Sequence, residues 1–339
     1  MQALRILAIM HDILVPPTDV SGYDLAQVDW KMEYDVTANL RDLGHEVVDL
    51  GIGTDIDTIA PAIASLQPHI VFNLLEDLHE VATFDRNIVG YLELLRMPYT
   101  GCNPRGMLLA RDKVLAKAVL TAAGIRVPWF QIVARGRAPA RNVAAPYPLI
   151  VKSRTKDASQ GISQAAVVTT YAKLAERVRY IHEVIGTDAL VEEFIDGREF
   201  YVGGLGNQRP QLLPIWELHL DRMQARWRIA SNRVKWNGVY QRRHRIRTGP
   251  ARRLPAPLAR DIQTTSRRAW AALGLSGYAR LDYRLSAAGE LYFIEANPNP
   301  QLAYGEDFAE SAEHGGIGYH ALLQSIVDHG RRWHPAHLG

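Results

Sequence analysis

Gly277–Pro300 reads GYARLDYRLSAAGELYFIEANPNP, two runs of alternating character joined by a short turn. Successive side chains on a strand point to opposite faces. Ala279, Leu281, Tyr283 and Leu285 therefore share one face, and Arg280, Asp282 and Arg284 share the other. On the second run Glu295 and Asn297 lie on one face. Antiparallel pairing of the two strands brings Asp282, Glu295 and Asn297 together. Two carboxylates and an amide oxygen make a hard-oxygen donor set, the kind Mg²⁺ takes together with phosphate oxygens. Arg280, two residues from Asp282 on the same face, is placed to meet a phosphate with both arms of its guanidinium. The alternation also describes a plain hairpin with a solvated polar face and one salt bridge. In that reading the Asn-Pro-Asn-Pro run only ends the strand.

Two upstream segments carry similar double readings. Lys152–Ser163, KSRTKDASQGIS, follows the apolar strand PLIV. A lysine at a strand end and a polar loop with Ser159 and Gly161 fit a phosphate cradle, and equally a hairpin connection. The segment lacks the G-x-x-x-x-G-K-[ST] pattern. Leu190–Phe200, LVEEFIDGREF, puts the paired acids Glu192 and Glu193 on an apolar strand, and Glu199 opens the next strand. As a hinge between modules, its backbone groups would read an adenine edge while a carboxylate takes ribose hydroxyls. As an acidic edge strand it would only discourage aggregation.

Outward from these segments, strand-like and helix-like patterns alternate over the first hundred residues. Leu4–Met10, Glu46–Leu50 and His69–Leu74 read as strands. Tyr34–Leu43, Ile56–Leu66 and Asn87–Leu95 read as helices. This order implies a parallel, doubly wound α/β unit. TGCNPRG reads as a loop, Asp112–Ala123 as a helix closed by Gly124, and Arg135–Pro148 as a connector. A small α+β module follows, with strands Leu149–Lys152, Ala165–Val168 and Ala189–Phe194 and a helix Tyr171–Ile185. Strands Glu199–Leu205 and Gln211–Glu217, a helix Ala256–Leu273, the hairpin and a last helix Ala321–His329 complete the chain.

Composition narrows the function. The 339 residues are 47% apolar and 22% charged, which excludes wholesale disorder and fibrous architectures. One cysteine, Cys102, excludes an intrachain disulfide and a cysteine-based zinc cluster. No run approaches the length of a membrane helix, so a cytoplasmic protein is expected. The net charge of +3 gives no reason to expect nucleic-acid or membrane partners, but it is uneven. Arg222–Arg253 holds eleven Lys/Arg and no acid, leaving −8 for the remainder. Read alone, with Trp227, Trp236 and Tyr240, that block looks like a nucleic-acid patch.

Taken in order, these segments resemble the ATP-grasp superfamily, in its D-alanine–D-alanine ligase branch. The likeness runs from about Val71 to Ala303 and includes PYTGCNPRGMLLARDKVLAKAVLTAAGIRVP, PLIVKSRTKDASQGIS, LVEEFIDGREF and the hairpin. Three of the seven lysines, Lys113, Lys152 and Lys235, fall at matching positions. The resemblance implies a three-module fold: a doubly wound pre-ATP-grasp domain over 1–111, a central subdomain over 112–194 and a C-terminal subdomain over 195–339. It implies ATP bound between the last two. Lys113, Lys152 and Lys235 would contact ATP, with Ser159 in the phosphate-covering loop. Glu192, Glu193 and Ile195 would form the adenine hinge and Glu199 the ribose carboxylate. Asp282, Glu295 and Asn297 would hold two Mg²⁺ ions. Arg280, Lys152 and Lys235 would stabilise the migrating phosphoryl group and the intermediates. The implied chemistry joins a carboxylic acid to an amine through an acyl phosphate. Relatives are often dimers, so a homodimer is expected. The basic block would then be a lid, with Arg233, Lys235, Arg242 and Arg243 around the phosphates.

The substrate grips of that family are missing. HDILVPPTDVSGYDLAQVDW stands where its glycine-rich N-terminal loop belongs. Gln301–Asp307, QLAYGED, stands where a serine-rich loop receives an incoming carboxylate. Glu306 would repel one. Substrates other than two D-alanines are expected, with Glu76, Asp77, His79 and Glu306 as contacts. The alternatives are a true D-alanine–D-alanine ligase and a nucleotide-binding module without turnover.

Overall fold

The computed structural model describes residues 2–338 except 80, 156–161, 221, 222, 224, 232, 233 and 235–237. Ser159, Arg233 and Lys235, three of the expected nucleotide contacts, therefore lie outside the described residues, as does Glu80.

Three sheets carry the fold. The first is parallel, in the order β2-β1-β3, from β1 (Arg5–His11), β2 (Glu46–Ile52) and β3 (Ile70–Asn73). Ile6 to Met10 are all buried, as expected for a parallel strand covered on both faces. Helices α1 (Lys31–Asp42), α2 (Ile59–Leu66) and α3 (Asp85–Leu94) make the crossovers. The doubly wound unit expected from the alternating pattern is thus present.

The second sheet, in the order β4-β7-β5-β6, uses β4 (Phe130–Val133), β5 (Leu149–Ser153), β6 (Val167–Val168) and β7 (Ala189–Glu193). With helix α6 (Tyr171–Tyr180) it encloses its own core, including Leu149, Val151, Leu174, Val178 and Val191. The expected helix to Ile185 changes to a π-helical turn at Ile181–Ile185.

The third sheet runs β11-β10-β8-β12-β13, with β9 beside β8. Its strands are β8 (Gly197–Leu205), β9 (Gln211–Leu212), β10 (Trp216–His219), β11 (Arg247–Pro250), β12 (Tyr278–Ser286) and β13 (Leu291–Pro298). The single strand expected over Gln211–Glu217 is broken around Pro214, which has no N–H to donate to a ladder. Helix α8 (Ala256–Leu273) buries Ile262, Ser266, Ala269, Trp270 and Leu273 at helical spacing. It covers the inward face of β12, where Ser266 Oγ lies 2.8 Å from Tyr283 OH.

TGCNPRG is not a loop throughout. Asn103 accepts from Gly106 N at 2.9 Å and, with Pro104 in the first turn, starts helix α4 (Pro104–Arg111). Helix α5 (Lys113–Ala122) follows, capped by Asp112. The turn ahead of α4 seats β12. Asn103 Nδ2 donates to Gly274 O at 2.8 Å and Ser276 Oγ at 2.9 Å. Gly277, at φ +68°, passes so close that a Cβ would lie 2.2 Å from Gly101 O. Helices α7 (Gly238–His244), α9 (Asp307–His314) and α10 (Tyr319–Arg332) complete the α-helices among the described residues. The first and third sheets share their cores: Leu7, Ile9 and Val71 pack in one cluster with Val202, Leu281 and Tyr283.

Candidate active site

The hairpin forms in the register its alternation demands. Asp282 pairs with Glu295 and Arg280 with Asn297 across β12 and β13. One extra residue, Ile294, follows as a bulge, since Tyr283 pairs with Phe293. Ala279, Leu281 and Tyr283 are fully buried against the helical layer. The opposite face of β12 therefore presents, in order, Tyr278, Arg280, Asp282 and Arg284.

Along this strip the chemistry changes every two residues, a step of about 7 Å. At one end Arg284 donates to Glu199 Oε2 at 2.6 and 3.1 Å, to Ile195 O at 2.9 Å and to Arg228 O at 2.6 Å. Tyr201 OH donates to the other Glu199 oxygen at 3.0 Å. The expected ribose carboxylate is thus engaged by two side chains. Next, Arg280 grips Asp282 with both arms, Nε–Oδ1 2.8 Å and Nη2–Oδ2 2.9 Å. Burial opposes charge on Arg280, but Asp282 holds its guanidinium well above its ordinary value. Asn297 turns Nδ2, not oxygen, to Asp282 Oδ2 at 3.0 Å.

The donor set fits a hard divalent cation. Asp282 and Glu295 face each other, and rotating the Asn297 amide plane replaces its nitrogen by Oδ1. Among the described residues no three acidic, histidine or cysteine side chains converge, so the amide is needed as third protein ligand. An incoming cation would also take Asp282 from Arg280, freeing that guanidinium for phosphate.

Facing the strip from the second sheet is a buried charge triad. Glu192, 1% exposed, lies 2.9 Å from Lys152 Nζ and 3.1 Å from Lys117 Nζ. Burial pushes its carboxyl up, but the two ammonium groups win and hold it at about 2. Lys117 also donates to Ile294 O at 2.7 Å, tying α5 to the bulge. Lys113 is buried in the first turn of α5 and is not among the residues lining the cavity described next; Lys117, one turn further along the same helix face, is the lysine paired with Glu192. The Glu192 carboxylate is taken up by the two lysines, and Glu193 and Ile195, the other expected hinge residues, line the same cavity. That cavity, ≈70 Å³, is lined by Lys152, Glu192, Glu193, Phe194, Ile195, Glu199, Ile229, Ala230, Arg284 and Glu295, among others. Drug-sized ligand sites run to roughly 300–1,000 Å³, so it is narrow for a nucleotide.

Part of the basic block closes it. Trp227 packs edge-on against Phe194 at 5.4 Å, and Gln164 holds the Trp227 backbone through two hydrogen bonds of 2.9 and 3.1 Å. Arg242, Arg243, Arg245, Arg247, Arg252 and Arg253 are exposed instead. Arg242 and Arg243 do not wall the cleft, because α7 carries them outward, and the Arg247 side chain on β11 is exposed as well. A larger cavity, ≈340 Å³, lies behind the same segment, between α6 (Lys173, Arg177, Tyr180) and Arg226–Trp227. It contains none of the hairpin residues.

At the other end of the strip Tyr278 feels the charge of Glu76, and Arg280 feels that of Asp307. Glu306 has an exposed side chain at this mouth, yet partial desolvation of its carboxyl, and then Asp307, raise it, with Lys31 and Arg280 opposing. Glu76 and Glu306 are therefore within electrostatic reach of the strip. Asp77 and His79 have no described contact with it, and His79 is exposed at φ 54° in the turn bridging Leu78 and Val81.

The family described as D-ala D-ala ligase C-terminus matches residues 119–328. The chain belongs to that family. It is 31% identical to the uncharacterized protein y4sG of Sinorhizobium fredii (strain NBRC 101917 / NGR234) over 86% of this chain and 85% of that protein. It is 30% identical to the D-alanine–D-alanine ligase of Desulforudis audaxviator, over 86% of this chain and 90% of that enzyme. Among solved structures, the D-alanine–D-alanine ligase of Bacillus anthracis complexed with ATP superposes with a TM-score of 0.74. That match has 23% identity and covers 97% of this chain and 98% of the other. The three-sheet architecture is thus the ATP-grasp fold, and this member of the D-alanine–D-alanine ligase family is an ATP-grasp ligase by descent. No helix among its described residues is long and apolar enough to cross a membrane.

Sequence reasoning missed Lys117, Arg284 and Tyr201. Lys117 was signalled by the scarcity of lysine and its position one turn after Lys113. Arg284 lies on the face that alternation assigned to Arg280 and Asp282, but no spacing rule told it from a solvated residue. Tyr201 carried no signal, because its role depends on β8 lying beside β12.

Proposed function

We propose that this protein is an ATP-dependent carboxylate–amine ligase that forms an amide through an acyl phosphate and acts on substrates other than two D-alanines. The ordered strip on β12 carries the reading. A base-and-ribose end (Ile195, and Glu199 of β8), a cation pair (Asp282, and Glu295 of β13), a phosphate-facing arginine (Arg280) and an acidic mouth succeed one another along β12. ATP would lie along it, with Glu193 and Ile195 at the adenine, Lys152, Lys113, Lys235 and Ser159 toward the phosphates, and 112–194 and 195–339 as the two clamping units beside the 1–111 unit. Asp282, Glu295 and Asn297 would hold two Mg²⁺ ions, which neutralise phosphate charge during transfer. A substrate carboxylate oxygen attacks the γ-phosphorus as the bond to ADP breaks, and an amine then displaces phosphate from the acyl carbon. Arg280, released from Asp282, stabilises the charge that develops on the transferring group. The narrow cavity requires the 226–230 segment to lift before nucleotide enters. Glu76, Asp77, His79 and Glu306 are the proposed substrate contacts. A cytoplasmic homodimer is the form we expect.

D-alanine ligation is the second reading, supported by the relatives' names; Glu306 at the acceptor mouth speaks against it. A nucleotide switch without turnover is the third. The test is ADP release over panels of acids and amines, with products identified by mass spectrometry. Glu295→Gln and Lys152→Ala should abolish both ADP release and product. If either variant keeps both, the site assignment is wrong.

A further inference from the structure

The acidic end of the strip bears on the unnamed amine. Glu33 sits in the first turn of α1, on the inward face with Met32, Val36, Thr37 and Leu40, and is 1% exposed. Its Oε2 has no hydrogen-bond partner. Asn73, the last residue of β3, is equally buried, and its Nδ2 is also unpartnered while Oδ1 accepts from Leu75 N at 3.2 Å. In the sheet ordered β2-β1-β3 the chain leaves β1 for β2 on one side, and leaves β3 for the parallel bridge of Tyr99 to Val71, so the two exits run in opposite directions. The crevice outside the carboxyl ends of two such strands is where open α/β sheets take ligands. Glu33 comes after β1 and Asn73 ends β3, so two unsatisfied buried groups flank that crevice.

Charge points the same way. Glu76 is close enough to Glu33 to disfavour its ionisation, and close enough to Tyr278 to be felt there. One strand step further, Arg280 is near Glu306 and Asp307. The two cations that reach Glu306 are already committed. Lys31 pairs with Asp35 and donates to Tyr304 O at 2.8 Å, and Arg280 pairs with Asp282. Tyr304 N in turn donates to Asp35 at 2.9 Å, pinning the loop that carries Glu306 onto α1.

We propose that the amine substrate is a dication, an aliphatic diamine or polyamine, with one amino group held by Glu33 in the crevice and its charge further balanced by Glu306 and Asp307 at the mouth. The inference rests on the ligase reading. In the second half-reaction the free amino nitrogen forms the C–N bond as the bond from acyl carbon to phosphate oxygen breaks. Of the two protons the attacking ammonium sheds, the departing phosphate takes one and solvent the other. The distal ammonium stays protonated. Burial raises the Glu33 carboxyl to about 7, so a bound cation would draw it into its ionised form.

The experiment measures ADP release with ATP, Mg²⁺ and a panel of carboxylic acids. Each acid is offered with 1,4-diaminobutane, 1,5-diaminopentane, butylamine or D-alanine. Calorimetry follows 1,4-diaminobutane binding in the presence of a nonhydrolysable ATP analogue. Diamines, and neither butylamine nor D-alanine, should support turnover. Glu33→Gln and Glu306→Gln should each raise the diamine KM by about tenfold or more while leaving the ATP KM within about threefold. Equal use of butylamine or D-alanine, or an unchanged diamine KM in both variants, overturns the proposal. ADP release with D-alanine and no diamine binding sinks it while the ligase reading stands. Diamine binding that depends on Glu33, with no ADP release on any acid, sinks the ligase reading and leaves the amine site. No binding and no turnover sinks both.

Discussion

Replacing Lys117 by Met probes the triad that holds Lys152. Glu192 keeps its charge in a buried place because two ammonium groups overcome its desolvation, taking its carboxyl from 4.5 to about 2. At about 1.4 kcal/mol per unit, that gap is worth about 3 kcal/mol. Burial depresses the Lys117 ammonium despite Glu192, so this figure is an upper bound on what the triad contributes in the intact protein. Truncation is a harsher perturbation. It leaves a buried carboxylate with half its compensation, and breaking a buried pair commonly costs about 3–5 kcal/mol. Because Lys152 remains at 2.9 Å, a loss near about 3 kcal/mol is expected at pH 7. The pH sign follows from the depressed carboxyl. Its stabilisation is present above the unfolded value of 4.5 and is lost as pH falls from there toward about 2. Urea unfolding of both proteins, followed by far-ultraviolet circular dichroism at several pH values, reads the difference. It should be full at neutral pH and shrink below the unfolded carboxyl value. A difference under about 1 kcal/mol at neutral pH, or one that does not change with acid, refutes the reasoning. Among the described residues Lys152 is then left as the counter-ion of Glu192, so the variant's ATP KM should also rise about fivefold, equivalent to ~1 kcal/mol.

Arg280→Lys removes a bidentate contact and should lower turnover about a hundredfold or more, with the ATP KM little changed, in steady-state ADP assays. Arg284→Met removes the clasp that joins Ile195, Glu199 and the 226–230 segment, so tryptic cleavage after Arg226 or Arg228 should accelerate about fivefold or more. Cys102 is fully buried and burial pushes its thiol up to about 12; alkylation of the native protein at pH 7.5 should therefore be slower than in urea by about a hundredfold or more.

Much of the fold was legible because it rests on local rules. Helix α8 formed over the expected residues, Ala256–Leu273, since its apolar spacing and terminal glycine act within the helix itself. Helix α4 was misread as loop although Asn103-Pro104 is an N-cap followed by a proline in the first turn; the surrounding glycines obscured it. Strand β11 was not legible, because RTGP has weak strand character and forms only where β10 offers a partner. The basic block divided for the same reason: its backbone at 226–230 covers the cleft, whereas its arginines on α7 and β11 face solvent.

Strand alternation was enough to assign the faces of the hairpin residues. Alternation put Arg280, Asp282 and Arg284 on one side of β12, and Glu295 and Asn297 on one side of β13, because side-chain direction on a strand has period two and needs no partner. Which residue holds which was set by packing between distant elements. The β12–β13 register set Asp282 against Glu295, the approach of α5 brought Lys117 to Glu192, and the meeting of α1 with the 302–306 loop gathered carboxylates from distant parts of the chain. Those pairings depend on how elements far apart in sequence pack and exclude water, and that cannot be read along a strand or around a helix.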